Sequence, residues 1–461
     1  MRVVLDFQAC QSGSRYRGIG RGSRALMLAM ANRLMSRGHE VVCLLSEAFS
    51  DGLHELRDDI RRNAPGARLT SFRIPSPCAA GAPENAWRQM AARILREHAI
   101  ACLEPDFVHV PALLADGWGD DSVGSVGMLG VHIPTSLTQH DLIPLVMADE
   151  YMPEGPFRDY YMRKLADAKK ADLLLAISEY SRSEAIEWMA MPPDDVVHIS
   201  SATDACFLEA RRSSKEIAEV LARIGVSQGF IFYAPGGFDV RKNMKRLLEA
   251  YAILPTDVRS RHQLVVASMI DESLRKQLTS IAAELGLRQG EFVMTGYVPD
   301  HELICLYQAC TLYVFPSLHE GFGLPVLEAM AAGAPVIASN CSCIPEVVGL
   351  DEALFDPYSV ESMSGKMLHG LRDGAFRARV KVHGEQWHKQ FSWERSAAIA
   401  VEALEKKAAI LREGGWAPAK TESLPACDQM LEKINDLSIS GQSDLECFRQ
   451  CFEANSKSKL N

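Results

Sequence analysis

Two glutamates stand eight residues apart in the segment SLHEGFGLPVLEAMAAG, where Glu320 is followed by Gly-Phe-Gly-Leu-Pro and Glu328 comes shortly after. An ionised carboxylate accepts two hydrogen bonds, which suits the vicinal hydroxyls of a ribose or a pyranose. The pair therefore predicts a grip on a sugar nucleotide. In the alternative interpretation, Glu320 caps the turn, Glu328 pairs with a lysine, and the glycines only turn the chain.

The residues around the two glutamates predict the elements that position them. The apolar run Leu312–Phe315 before them is typical of a strand, and Pro325 suits the first turn of a helix. In the loop between, Gly321 and Gly323 permit a close approach of the backbone to a ligand. The N–H groups at a helix start have no intrahelical partner and donate to anions or sugar hydroxyls. We expect both carboxylates to face one ligand.

Apolar runs alternate with segments of helical period in two successive series. The first opens with a strand at residues 3–7, a glycine-rich segment at 13–22, a helix at 23–36 and a strand at 41–45; the second opens with a strand at 230–234. This alternation predicts an α/β fold class: two Rossmann-like, doubly wound domains facing each other across a cleft. Ligands in such sheets bind outside the carboxyl ends of the strands, so the cleft is the expected active site.

The two series set the predicted domain boundaries. We expect a first Rossmann-like domain over residues 1–204, a linker over 205–228, a second Rossmann-like domain with a returning C-terminal helix over 229–413, and a partly helical or disordered appendage over 414–461. Within them we predict strands at 107–111, 127–133, 136–140, 173–178, 263–270, 292–298 and 335–338, and helices at 150–171, 242–253, 272–285 and Asp300–Ala309.

Composition restricts the class of partner. The formal net charge of −10 argues against general nucleic-acid binding. Residues 1–100 are an exception, with 15 arginines against 9 acidic residues, which indicates either a solvated face or contact with anionic lipid or phosphate.

We expect no signal peptide and no membrane span. Twelve dispersed cysteines fit a reducing cytoplasm, and Cys341-Ser-Cys343 lacks the second ligand pair of a zinc site.

Several motifs together resemble the retaining glycosyltransferases of family 4, which have the GT-B fold. The resemblance extends to about residue 400, and its motifs are the Glu-x7-Glu segment, GYV at 296–298, IPEV at 344–347, GGFDVRKN at 236–243, HDLIP at 140–144 and GIGR at 18–21. The last three are similar to bacterial mannosyl- and rhamnosyltransferases that build O-antigen and capsule polysaccharides. The resemblance thus implies a hexosyltransferase for a cell-surface polysaccharide, with the first domain on the acceptor side and the second binding the nucleotide sugar.

The resemblance also implies roles at the matched positions. Glu320 would contact the donor sugar, Glu328 the nucleotide ribose, and Lys242 with Arg241 the diphosphate leaving group. The other implied donor-binding positions, which approach the ligand through backbone groups or an aromatic ring, are Gly18, Gly20, Tyr297, Gly321, Phe322, Gly323 and Leu324. Some members carry an arginine where this chain has Gly237, so the identity of one cation differs here.

Two further residues lie at or just after the ends of predicted strands, and two interpretations are open for each. His140 is either a histidine satisfied by turn hydrogen bonds or, as the resemblance implies, a residue that touches the donor sugar or the reacting centre. Arg182 is either an acceptor contact or one half of a structural ion pair. Glu320, His140, Lys242 and Arg241 are therefore the predicted catalytic group.

The implied reaction needs neither metal nor cofactor. The chain contains no Asp-x-Asp motif, and we find no candidate for an enzymic nucleophile, so we expect front-face displacement in which the leaving phosphate deprotonates the acceptor. By resemblance the donor is a GDP-linked hexose of the manno series. From the basic first hundred residues we expect peripheral docking on the inner membrane surface, where a lipid-linked oligosaccharide acceptor would be presented. The alternatives are a glucan-synthase-like transferase using UDP- or ADP-sugar and a non-catalytic sugar-nucleotide-binding subunit.

Overall fold

The computed structural model describes residues 1–208, 211–434 and 442–457. Its contacts divide the chain into two compact units, one formed by Met1–Ser200 with Trp393–Asn461 and one by Ser201–Ser392. Each unit contains its own parallel sheet with helices packed on it. The predicted fold class of two doubly wound, Rossmann-like domains is confirmed.

The strands and helices are numbered in chain order. The strands are β1 Arg2–Asp6, β2 Glu40–Ser46, β3 Arg68–Phe72, β4 Phe107–Val110, β5 Thr135–Gln139, β6 Leu173–Ala176, β7 Val196–His198, β8 Gly229–Tyr233, β9 His262–Ala267, β10 Phe292–Gly296, β11 Leu312–Phe315, β12 Val336–Ser339 and β13 Leu354–Phe355. The α-helices are α1 Gly18–Ser36, α2 Leu53–Asn63, α3 Ala86–Ala101, α4 Ile143–Val146, α5 Ala148–Tyr151, α6 Pro156–Ala168, α7 Glu179–Met189, α8 Ser214–Arg223, α9 Met244–Ala252, α10 Thr256–Arg259, α11 Glu272–Glu284, α12 Asp300–Ala309, α13 Leu324–Ala331, α14 Ile344–Val348, α15 Val360–Arg372, α16 Gly374–Trp387, α17 Trp393–Glu413, α18 Cys427–Glu432 and α19 Gln442–Lys457. None of these described helices is long and apolar enough to cross a bilayer.

The sheet of the first unit has the order β3-β2-β1-β4-β5-β6-β7, and every neighbouring pair is parallel. The chain order reverses between β1 and β4, which makes their carboxyl ends the topological switch point of this unit. Two of its strands were not predicted. β3 buries only Phe72 fully, and β7 is three residues long, so neither contains the continuous apolar run of a central strand.

Three predicted elements of the first unit are wrong. Helix α1 begins at Gly18 rather than at residue 23, so the GIGR motif forms its first turn and is not a loop. Residues 127–133 contain no strand. The single helix predicted at 150–171 is two helices, α5 and α6, because Gly155 takes an extended, glycine-specific conformation (φ 146°) and Pro156 then starts α6.

The sheet of the second unit has the order β10-β9-β8-β11-β12-β13 and is also parallel. The predicted elements are found from β8 to β12, and α12 and β11 have the predicted bounds. Five helices and one strand among the described residues of this unit were not predicted: α8, α10, α14, β13, α15 and α16. One difference concerns the site: the helix predicted from residue 242 begins at Met244. Lys242 closes a 3-10 turn, and Asn243 joins this turn to α9 in the left-handed conformation, with φ 58°.

The division into units differs from the predicted boundaries near the C-terminus. The helix assigned to the second domain, α17, lies in the first unit and packs on α1, where Val401 and Leu404 share a core with Met27 and Met30. Helix α8 falls within the predicted linker and belongs to the second unit. In the predicted appendage, α19 packs against α3. Residues 435–441 and 458–461 of that appendage lie outside the described residues.

Candidate active site

Glu320 forms the centre of a buried ionic group in the second unit. It lies in the loop between β11 and α13. Its Oε2 is 2.6 Å from Nη1 of Arg241, and its Oε1 is 2.6 Å from Nζ of Lys242. Both cations follow β8, which is the sheet neighbour of β11. The fold therefore places the two predicted cations and the first glutamate of the motif within direct contact.

The electrostatics of this group keep Glu320 ionised. Burial raises the pKa of its carboxyl, but the charges of Lys242 and Arg241 outweigh that effect and hold the pKa below its ordinary value. Lys242 is itself only 6% exposed, and a buried ammonium is tolerated in a protein when a counter-charge pairs with it. Arg241 has a second carboxylate partner, since its Nε lies 3.1 Å from Oδ1 of Asp239. The group is therefore charged but locally compensated.

Asn243 joins the two loops that carry this ionic group. Its side-chain amide donates to the carbonyl oxygens of Pro316, at 3.0 Å, and Pro357, at 2.8 Å. The backbone N–H of Leu318 donates to the carbonyl of Arg241 at 2.7 Å. These bonds fix the end of β11 against the turn after β8. Sequence reasoning did not assign Asn243 a role, although it ends the GGFDVRKN motif.

Gly323 makes the start of α13 possible. Its φ is 97°, and a Cβ at this position would lie 2.6 Å from Cδ1 of Ile344. A side chain here would meet both backbone strain and a clash. The neighbouring Phe322 points inward and packs edge-on against Phe391, with ring centroids 5.7 Å apart. Phe322 thus contributes packing, and the backbone of residues 321–324 leads into the helix.

Two residues after β12 hold the backbone of Glu320. Its N–H donates to Oγ of Ser342 at 3.1 Å, and the thiol of Cys343 donates to its carbonyl oxygen at 3.1 Å. Ser342 adopts a left-handed conformation with φ 50°, which is uncommon for a residue with a side chain. Neither residue was predicted to contact Glu320. The signal that could have indicated them is their position directly before the IPEV motif.

Glu328 has a different environment from Glu320. It is buried on α13, and the hydroxyl of Tyr307 lies 3.3 Å from its Oε2. The Tyr307 ring packs on Tyr313, with centroids 5.2 Å apart. Burial raises the pKa of the Tyr307 hydroxyl well above its ordinary value, and the charges of Tyr313 and Glu328 add to this effect. The second glutamate of the motif is thus in hydrogen-bond contact with a neutral phenol donor.

The other predicted donor-binding residues are distributed over both units. Tyr297 follows β10 in the second unit and is 71% exposed. Gly18 and Gly20 lie in the first unit, where Gly18 is exposed and Gly20 is buried. A Cβ on Gly20 would lie 2.3 Å from the carbonyl oxygen of Ser14, so glycine is required here by the preceding loop.

His140 directly follows β5 in the first unit. Its Nε2 lies 2.8 Å from the carbonyl oxygen of Pro111, to which it donates. Burial lowers the pKa of the imidazole, so the ring is neutral at physiological pH. Arg182, on α7, donates to the carbonyls of Val196 and Pro193 and pairs with Glu179 at 2.9 Å. These contacts agree with the interpretation of Arg182 as one half of a structural ion pair.

Comparisons with known proteins give the family. Residues 20–205 match the family model described as Glycosyltransferase Family 4, and residues 224–387 match Glycosyl transferases group 1. Over 271 residues the chain is 36% identical to O-antigen chain mannosyltransferase B from Escherichia coli, an alignment that covers 58% of this chain and 68% of the relative. The chain belongs to glycosyltransferase family 4.

A longer relative and a solved structure complete the comparison. This family 4 chain is 33% identical over 439 residues to the serotype-specific mannosyltransferase WbdA from Escherichia coli, covering 95% of this chain and 52% of WbdA. It therefore spans about half the length of the first curated relatives it matches. Its fold is similar to that of HepE from Anabaena in complex with UDP and glucose, with a TM-score of 0.61, 17% identity and coverage of 88% and 100% of the two chains. The fold is that of the GT-B glycosyltransferases.

Proposed function

We propose that this family 4 chain is a retaining hexosyltransferase that moves a sugar from a nucleotide diphosphate donor to a growing cell-surface polysaccharide. The observation that carries the proposal is the buried group of Arg241, Lys242 and Glu320 at the carboxyl ends of β8 and β11. Ligands of doubly wound sheets bind at such strand ends. The names of the relatives, which are mannosyltransferases of O-antigen synthesis, support the same reaction class.

The ionic group has the chemistry that a departing diphosphate needs. As the bond between the anomeric carbon and the phosphate oxygen breaks, negative charge grows on the diphosphate. An ammonium carries three N–H donors. Glu320 accepts one donor of Lys242, which leaves two to stabilise phosphate oxygens. Donors fixed in place before the reaction stabilise the transition state more than the ground state.

The proposed displacement uses the leaving group as its base. The acceptor hydroxyl oxygen attacks the anomeric carbon on the face from which the diphosphate departs, and the new glycosidic bond forms as the old bond breaks. The hydroxyl proton passes to the departing phosphate oxygen. We assign no protein residue the role of nucleophile, so the chain contributes orientation and electrostatic stabilisation. Neither a metal nor a cofactor has a step in this scheme.

The individual roles stay those that the family motifs imply. We assign the donor sugar to Glu320 and the ribose to Glu328, whose second carboxylate oxygen is held by Tyr307. We further propose that Tyr297 borders the nucleotide base and that His140 contacts the donor sugar or the reacting centre. Contacts to phosphates or hydroxyls are assigned to backbone groups of Gly18, Gly20, Gly321, Phe322, Gly323 and Leu324.

The donor we propose is a GDP-linked hexose of the manno series, either mannose or a 6-deoxy relative. The names of the relatives support the sugar. The base has weaker support, because a tyrosine ring such as that of Tyr297 suits uracil as well as guanine, and HepE holds UDP in its solved structure. Sugar hydroxyls within reach of Glu320 are common to many nucleotide sugars, so the residues alone leave the sugar open.

A panel of nucleotide sugars tests this proposal. The purified chain is incubated with GDP-mannose, GDP-rhamnose, UDP-glucose and ADP-glucose, and released nucleotide is measured with and without saccharide acceptors. We expect turnover of a GDP-linked sugar and tighter calorimetric binding of GDP than of UDP. Preference for UDP- or ADP-glucose would favour the glucan-synthase alternative, and binding without any turnover would favour a non-catalytic subunit.

We also propose that the acceptor is lipid-linked and that the chain contacts the inner membrane surface peripherally. The excess of arginine in residues 1–100 is the support. Its strength is reduced because at least ten of the fifteen arginines form ion pairs: Arg2, Arg24, Arg37, Arg61, Arg62, Arg68, Arg73, Arg88, Arg93 and Arg96. A paired guanidinium attracts an anionic bilayer less than an unpaired one, so we expect a weak, salt-sensitive contact.

A further inference from the structure

The loop between β1 and α1, which we call the tip loop (residues 12–17), presents an exposed aromatic ring. Tyr16 is 73% exposed. The guanidinium of Arg15 lies 4.9 Å from the centroid of its ring, and Arg17 beside it is exposed at the start of α1. An exposed tyrosine flanked by two arginines combines a flat apolar surface with hydrogen-bond donors.

The tip loop is held in place by two carboxylates from the segment after β4. The hydroxyls of Ser12 and Ser14 donate to the two oxygens of Asp116, at 3.0 and 2.7 Å. The N–H of Gly13 donates to Asp120 at 3.1 Å. Asp116 is buried, so its two hydrogen bonds are costly to lose. These hydrogen bonds therefore hold in place the backbone that carries the exposed ring of Tyr16.

The tip loop is linked to the ligand-binding edge of the first unit's sheet. It follows β1, and its partner Asp116 follows β4; these two strands form the switch point of the sheet. Pro111, at the end of β4, accepts the hydrogen bond from His140 at the end of β5. Hydrogen bonds thus connect the ends of three neighbouring strands at the edge where doubly wound sheets bind ligands.

We propose that Tyr16 is an acceptor-binding residue, whose ring packs against a pyranose of the acceptor glycan while Arg15 and Arg17 donate to its hydroxyls. The inference rests on the proposed function and specifies where the saccharide of the acceptor binds. A pyranose presents C–H groups on its face and hydroxyls at its rim, which complements an aromatic plane bordered by guanidinium donors. Tyrosine loses little conformational freedom on binding, because it has only two side-chain torsions.

A glycan fits this surface better than a bilayer does. A peripheral membrane anchor buries a broad apolar face, whereas Tyr16 is the one large hydrophobic residue of the tip loop. The hydrogen bonds to Asp116 and Asp120 also hold the loop in one conformation, and this suits the geometry of a stacked sugar. Insertion into lipid headgroups requires no such geometry.

The test compares Tyr16→Ala, Tyr16→Phe and the control Trp188→Ala, which removes another exposed aromatic residue of the same unit. The probe is α-linked mannotriose, with its Kd measured by NMR titration of the full chain and its KM measured in the transfer assay. We expect Tyr16→Ala to raise both by about tenfold, equivalent to about 1.4 kcal/mol. Tyr16→Phe and Trp188→Ala should stay within about twofold, since ring and support remain.

Two measurements distinguish a failure of this inference from a failure of the proposed function. They are nucleotide binding and donor hydrolysis in the absence of acceptor. Both should be unchanged in Tyr16→Ala, and a wild-type chain that neither binds a nucleotide sugar nor transfers its sugar would by itself remove the proposed function. The inference is overturned if wild-type chain does not bind mannotriose, or if Tyr16→Ala binds it as wild type does. It is also overturned if Tyr16→Ala changes only co-sedimentation with vesicles of phosphatidylcholine and phosphatidylglycerol, which would identify the loop as a membrane contact.

Discussion

Nζ of Lys242 lies 2.6 Å from Oε1 of Glu320, and both side chains are buried. Removing one partner from a buried pair usually destabilises a protein by about 3–5 kcal/mol, because the remaining charge is left uncompensated. Here Arg241 also contacts Glu320 at 2.6 Å, so Glu320 retains a counter-charge when Lys242 is replaced. Variants of Lys242 are therefore better probes of chemistry than variants of Glu320.

Lys242→Ala is expected to reduce kcat more than it weakens nucleotide binding. The charge on the diphosphate grows as the glycosidic bond breaks, and loss of one fixed donor to such a charge lowers kcat by about 10²–10³. The measurements are kcat for sugar transfer and the calorimetric Kd for GDP. Lys245→Ala is the matched control, because Lys245 lies on the next helix and is 75% exposed. Equal losses in kcat and in GDP affinity would indicate a ground-state contact instead.

The two glutamates should differ in kinetic effect. Glu328→Ala is expected to weaken the donor, and Glu320→Ala to reduce turnover, each by about ten- to a hundredfold, since a hydrogen bond to a charged group contributes about 1.5–3 kcal/mol. Tyr307→Phe removes only the phenol that contacts Glu328 and should raise the donor KM less than Glu328→Ala does. Steady-state kinetics with thermal unfolding of each variant would check this. Wild-type kinetics in both alanine variants would refute the assignment.

The βα units of the second unit from β8 to β12 could be predicted because each has a strong local signal, whereas α8, α10, α14, β13, α15 and α16 were not predicted. Leu312–Phe315 is an uninterrupted apolar run, and Gly323 with Pro325 marks the start of α13. The cations near Glu320 were assigned through the family motif. Spacing alone could not place them beside Glu320, because β8 and β11 are neighbours in the sheet although they are distant in sequence.

The features that the sequence did not reveal depend on long-range packing. Helix α17 has an ordinary amphipathic pattern, and nothing local in it indicates that it packs on α1. Strand β3 is paired with β2 but lacks an apolar run. The partner of Glu328 was also missed, because Tyr307 comes from α12 and its approach depends on how α12 and α13 pack.

Transfer activity should survive exhaustive chelation. In the proposed scheme, Lys242 and Arg241 supply the positive charge that a divalent ion would otherwise supply to a diphosphate, and the sequence contains no Asp-x-Asp motif to hold such an ion. Initial rates are compared before and after treatment with EDTA and after adding back magnesium. Abolition by EDTA with recovery on magnesium addition would show that the proposed metal-free displacement is wrong.

Association with anionic vesicles should be weak and sensitive to salt. Each exposed cation near an anionic surface contributes about 1 kcal/mol, but many arginines of residues 1–100 are paired with carboxylates. We expect co-sedimentation with phosphatidylglycerol vesicles at low ionic strength and its loss at physiological salt. Neutral phosphatidylcholine vesicles are the control. Sedimentation independent of both lipid charge and salt would argue for a different acceptor presentation.

Lys164 on α6 gives a prediction for the dependence of stability on pH. Its side chain is buried in the first unit, and burial lowers its pKa to about 8, with the nearby charges of Arg93 and Arg96 adding to the effect. Asp116 and Asp167 act in the opposite direction. In the unfolded chain the same lysine has a pKa of about 10.4. Between these two values the unfolded chain therefore binds more protons at this position than the folded chain does.

The sign of the effect follows from this difference. Stability rises with pH wherever the unfolded state binds more protons, so the contribution of Lys164 is unfavourable at pH 7 and becomes less so as pH rises from about 8 to about 10.4. Lys164→Met should therefore raise the free energy of unfolding at pH 7 by about 3 kcal/mol, and its advantage over wild type should shrink by pH 10. Urea midpoints of both chains at pH 7 and pH 10 measure the change, and other titrating groups cancel in the comparison. Lys169→Met, at an exposed position just after the same helix, is the control for the loss of a lysine. Parallel stability curves for wild type and Lys164→Met would mean that the buried ammonium keeps its ordinary pKa.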